Sequence, residues 1–129
     1  MKIFFLLSVV VLLAACRPGK IPDTLESAEI DSVRAVIGLG PQGAKSRGFL
    51  LSKRQTEEFC ALLNDAREVG VCKYYPMITF HVFQENKAER VFRASANIIK
   101  EKTDLAYKIP DTLFFQKLFK QYFNSDTLP

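Results

Sequence analysis

The chain has no tryptophan, one histidine and three cysteines. Each shortage excludes something. Without tryptophan, a core must be packed from the eleven phenylalanines. His81 is the only imidazole, so no histidine pair can hold a metal, and no close ligand pair suggests a zinc site. Cys16, Cys60 and Cys72 form no Cys-x-x-Cys motif, which argues against dithiol redox chemistry. Charge of one sign is also scarce. Eighteen Lys and Arg face fourteen Asp and Glu, giving +4, and the charges are interspersed, so no nucleic-acid partner is implied. No apolar run reaches the length of a membrane-spanning helix. The glycines around 38–48 lack the spacing of a phosphate-binding loop, so they read as an ordinary connection. No catalytic residue, cofactor site or metal site is assigned.

The N terminus is the most specific part of the chain. Met1-Lys2 is a minimal positive segment, and Ile3 to Leu13 is apolar apart from Ser8. That length fits a secretory signal. Leu13-Ala14-Ala15-Cys16 closes the run. These residues resemble the lipobox of bacterial lipoprotein precursors. The resemblance implies cleavage of residues 1–15 and attachment of a diacylglyceryl group to the Cys16 thiol. A further acyl chain, such as palmitate, would then join the freed amine. Several chains anchor far more firmly than one. In such proteins an Asp after the cysteine favours inner-membrane retention. Arg17 stands there instead, which points to the outer membrane of the cell envelope.

Removing the signal leaves 114 residues with a balance of +3, enough for one domain and one core. Arg17, Pro18, Gly19 and Pro22 discourage regular structure, so 16–27 reads as anchor and short tether before a single domain over 28–129. Val33, Ala35, Ile37 and Leu39 alternate as a first strand, with Arg34 on its other face. Lys45–Gly48 reads as a basic loop and Phe49-Leu50-Leu51 as a short strand. Ser52 and Gln55 form a capping box for a helix over about 53–68. Its stripe is Phe59, Leu62, Leu63 and Ala66, and Gly70 is its stop. Met77–Gln84 is the clearest strand, with Ile78, Phe80 and Val82 on one face. A hairpin at Glu85–Ala88 leads to a strand over Val91–Ile98, with Phe92, Ala94, Ala96 and Ile98 facing the core. A short strand at 106–109 follows. Asp111 caps a final aromatic helix over 112–123. The order β-(β)-α-β-β-(β)-α predicts an α+β fold, a four- to five-stranded antiparallel sheet with two helices on one face. In this order the domain resembles small envelope lipoproteins.

Helices on one face leave the other uncovered. Thr79, His81 and Phe83 and, from the next strand, Arg93, Ser95 and Asn97 would form it. A mixed aromatic, basic and hydroxyl surface suits a protein partner, and a merely solvated face is the plain alternative. His81 has no local orienting group, and Asp104 and Asp111 lie in loops at unknown distance. A disulfide between Cys60 and Cys72 is expected in an oxidising compartment, with two buried free thiols as the alternative. The expected function is therefore a non-enzymatic, membrane-anchored protein-binding lipoprotein, either an accessory subunit or an immunity-type inhibitor. The alternatives are a small-ligand or lipid-binding module between sheet and aromatic helix, and, last, a hydrolase.

Overall fold

The computed structural model describes residues 19–39, 45–72 and 76–123. The expected signal segment, Cys16, residues 40–44 and Tyr74-Tyr75 lie outside the described residues. After a 3-10 turn at Ser27–Glu29 come β1 (Ile30–Leu39), β2 (Lys45–Leu50), α1 (Lys53–Asp65) and β3 (Arg67–Val71). Then follow β4 (Ile78–Gln84), β5 (Arg90–Ser95), β6 (Ile98–Lys100), β7 (Leu105–Lys108) and α2 (Leu113–Phe123). The class is α+β, as the patterning implies. The sheet has seven antiparallel-paired strands in the order β2-β1-β4-β5-β6-β7-β3, rather than four or five.

Three local differences account for the larger sheet. The polar stretch Lys45–Gly48 pairs with β1 instead of looping, with Val36 opposite Gly48 and Ile37 opposite Arg47. Its sequence carries little strand signal because it is an edge, where charge is favoured over apolar alternation. The helix stops at Asp65, not near 68. Ala66 is extended (ψ 146), and the chain turns directly into β3. That strand pairs with β7, a contact too distant in sequence for local patterning to report. Val69 falls in a bulge there, and Gly70 adopts φ +90.

The third difference splits the expected strand over 91–98. The chain reverses at Ala96-Asn97, so that Ser95 pairs with Ile98. Reversal changes the parity of every residue after it. Ile99 becomes fully buried, while Ile98 is only half-buried and Ala96 is exposed. Ala96 holds φ 51, a left-handed conformation that a Cβ disfavours by roughly 1–2 kcal/mol. Replacing Ala96 by Gly should stabilise the domain by up to about 1 kcal/mol after the glycine entropy cost. A rise in the urea midpoint at constant m checks this, and a fall would contradict it.

The core lies between the sheet and both helices. Val33, Ala35 and Ile37 of β1, Ile78, Phe80 and Val82 of β4, and Phe92 and Ala94 of β5 face it. Phe59, Cys60 and Leu63 of α1 and Phe114, Phe115 and Leu118 of α2 close over them. The rings of Phe59 and Phe80 are 4.4 Å apart, and those of Phe80 and Phe115 5.7 Å. Both caps form as their residues imply. Ser52 and Gln55 bond reciprocally, and the Asp111 carboxylate accepts from the Leu113 N–H at 2.8 Å.

The segment before β1 is not a loose tether. Ile21 and Leu25 are buried in the core cluster. Asn64 receives the Leu25 N–H and donates to its carbonyl, and the Glu68 N–H donates to the Gly19 carbonyl at 2.8 Å. Pro22 had suggested an unstructured linker. Two apolar side chains with a place in the core outweigh that local preference.

Candidate functional site

The face of the sheet opposite the helices carries the residues that strand alternation singles out. Strand pairing places them in two adjacent rows. One row reads Gly48, Val36, Thr79, Arg93 and Lys100 across β2, β1, β4, β5 and β6. The next reads Leu50, Arg34, His81 and Val91. Thr79 and Arg93 are therefore direct cross-strand neighbours, and His81 lies between Arg34 and Val91. Phe83 and Ser95 extend the same face. Asn97 does not belong to it. It occupies the β5–β6 turn, and its carbonyl accepts from the Ile109 N–H. The sequence missed this because it continued one strand through the turn.

Two close contacts shape this surface. The Arg34 guanidinium lies over Gly48, where an added Cβ would come within 2.8 Å of its Nη2. His81 Nδ1 meets Glu89 Oε1 at 2.5 Å. Glu89 was not visible as a partner because it follows the hairpin turn and reaches His81 diagonally. Asp104 is exposed, and Asp111 is occupied at the start of α2. An imidazole oriented by a carboxylate has the form of a general base, but hydrolysis also needs a nucleophile and oxyanion donors around a substrate. Arg34, across on β1, could serve an oxyanion, while Val91, across on β5, offers no nucleophile.

Lys100 donates to the Cys72 carbonyl, drawing the chain beyond β3 toward the outer face. The expected Cys60–Cys72 disulfide is not formed; both cysteines are free. Cys60 is buried under α1, whereas Cys72 follows the edge strand and is held from the opposite face. Burial, with the nearby negative charge of Glu26, pushes the Cys60 thiol up to about 11. The ordinary value is 9.0, so the unfolded chain ionises first as pH rises. Stability should fall between about pH 9 and 11 by roughly 1.4 kcal/mol per unit. Cys60→Ala should remove this loss over the whole window, leaving only the part above about pH 10 that burial of Tyr107 contributes. Urea titrations at stepped pH check this. In the native protein Cys72 should alkylate first, with Cys60 protected until unfolding.

The space between sheet and α2, where an apolar ligand would sit, is filled by Phe59, Phe80, Phe114 and Phe115. An open groove of about 660 Å³ lies elsewhere, among Ser27, Asp31, Ser32, Leu51, Lys53 and Glu57. The aromatic side of α2 belongs to the core, since Phe114, Phe115 and Leu118 are buried. Among the described residues no group of three His, Cys, Asp or Glu is placed to hold a metal, and no helix is long and apolar enough to cross a membrane. No protein-family model, curated protein or solved structure matches the chain.

Proposed function

We propose that this chain is a bacterial envelope lipoprotein, cleaved before Cys16 and anchored there by lipid, whose domain is a non-enzymatic protein-binding module. The carrying observation is the outer sheet face. Arg34, Thr79, His81 and Arg93 stand on two neighbouring rows, on the face opposite the one that the described helices cover. The Arg34 and Arg93 cations around the Thr79 hydroxyl and the His81–Glu89 pair suit a partner surface that carries carboxylates. An accessory role in an envelope complex and inhibition of an exported toxin both use such a face. The lipobox supports the anchor, and Arg17 in place of an acidic residue supports the outer membrane.

Purification from the native envelope with crosslinking and mass spectrometry tests the reading. A stoichiometric protein crosslinked to β1, β4 or β5 is expected. Paired Arg34→Glu and Arg93→Glu substitutions should reduce its recovery at least about tenfold, as like-charge contacts replace complementary ones. Their thermal transition should stay close to that of the native chain. Repeated recovery of the monomer alone would contradict the binding role. A Cys16→Ala chain should remain an uncleaved, unacylated precursor, and normal acylation of it would contradict the anchor.

A further inference from the structure

We propose that the domain stands edge-down on its membrane, with the outer edge of β3 seated in the headgroup layer of the bilayer that holds the Cys16 acyl chains. This rests on the lipoprotein reading. The first argument is chain length. Gly19 is the first described residue, and three residue steps separate it from Cys16. At about 3.4 Å each they reach roughly 10 Å. The headgroup layer itself is about 6 Å deep on each side of the bilayer. Gly19 therefore stays at the lipid surface.

The second argument is where Gly19 is tied. Its carbonyl accepts from the Glu68 N–H of β3, so the anchor emerges beside that edge strand. The third is what the edge displays. Val69 is 46% exposed and Val71 75% exposed, unusual for valines in a strand. Exposed Lys20 and Lys108 flank them, and Arg67 pairs opposite Lys108. Glu68 lies among these three cations, with the exposed Asp65 and Asp104 at the two ends of the strand and Lys102 beside the latter. Apolar side chains set among cations suit the boundary between acyl chains and anionic headgroups.

A second protein strand is a poorer occupant of this edge. The bulge at Val69 and the left-handed Gly70 interrupt its pairing register, and Gly19 already takes the Glu68 amide. Lipid needs no register. Standing on β3, the sheet lifts β4 by four strand spacings, about 19 Å. The Arg34–Thr79–His81–Arg93 face is then presented sideways above the headgroups.

The absence of native tryptophan makes a clean test. Val71→Trp places a sole indole on the β3 edge, and Leu50→Trp places one on the far edge β2. Each acylated chain is reconstituted into vesicles of phosphatidylethanolamine and phosphatidylglycerol, with brominated lipid as quencher. Quenching should be several-fold greater for Val71→Trp, with a blue-shifted emission. Val69→Trp supplies the same reading if the first variant fails to fold. Equal quenching at both edges, in protein whose intact mass includes the acyl groups, overturns the edge-down seat and leaves the lipoprotein reading standing. Unquenched indole with β3-to-β3 crosslinks overturns it in favour of a second copy. An intact mass without acyl groups on Cys16 overturns both.

Discussion

Truncating Phe80 to Ala is expected to destabilise the domain by about 3–5 kcal/mol, a large part of the roughly 5–15 kcal/mol typical of a whole domain. Phe80 is fully buried at the middle of β4. Its ring meets Phe59 of α1 at 4.4 Å and Phe114 and Phe115 of α2 at 6.5 and 5.7 Å. Phe92 stands opposite it on β5 and Ala35 on β1. Removal therefore loosens both helices from the sheet at once. Those neighbours are themselves large rings, which collapse poorly into a void, so the cost should sit in the upper part of the range. Phe83→Ala is the control, because it lies on the same strand but on the exposed face. It should cost below about 1.5 kcal/mol. Urea unfolding compares the two, and similar midpoints would show that the ring cluster is not the centre of stability.

Replacing Arg90 by Met should cost about 3–5 kcal/mol and release the N-terminal segment. The Arg90 Nε and Nη2 donate to the two Glu101 carboxylate oxygens at 2.7 and 2.9 Å. Nη1 and Nη2 also donate to the carbonyls of Asp23 and Pro22 at 2.6 and 3.0 Å. The guanidinium lies 5.1 Å from the Phe92 ring centroid. Side-chain exposures of 14% and 15% keep the pair largely out of water. The hydrogen bond to Glu101 is the main reason the guanidinium holds its proton more tightly than usual, against the opposing effect of burial. Methionine fills similar volume but strands the Glu101 carboxylate and two carbonyls. Arg90→Lys keeps the charge but loses the fork, so its cost should be smaller. Hydrogen exchange separates two effects. Leu25, whose amide is held by Asn64, should exchange faster in Arg90→Met, while amides of β4 should follow only the global loss. Unchanged exchange at Leu25 would show that Arg90 does not hold the segment.

These two sites differ in how far they can be read from the chain. Phe80 is legible because Ile78, Phe80 and Val82 alternate with Thr79, His81 and Phe83, which marks a half-covered strand. Arg90 is not. Nothing near it marks a buried ion pair, since Glu101 and Pro22-Asp23 reach it only after the sheet has formed. The outer face was legible to the extent that it follows alternation. Thr79, His81, Phe83, Arg93 and Ser95 share it, whereas Asn97 was misplaced by an unseen turn. That turn uses Ala96 in a conformation usually left to Gly or Asn, so the usual turn signal was missing. Glu89 was missed for a related reason: a diagonal contact across a hairpin depends on register, which the turn residues did not specify.

The sequence alone determined what local physics controls. Alternation set the inward faces of β1, β4 and β5. The Ser52–Gln55 capping box and Asp111 set where the helices begin, and helical spacing set which sides they bury. Tertiary structure decided the rest: the extension of β2 through Lys45–Gly48, the edge strand β3, the docking of Ile21 and Leu25, and the separation of Cys60 from Cys72. These depend on contacts between residues far apart in the chain. Edge strands carry weak patterning because half of their backbone faces solvent, and a docked segment needs only two apolar side chains and a vacant place in the core. Neither leaves a period in the sequence. Both follow once the inner strands and helices have packed.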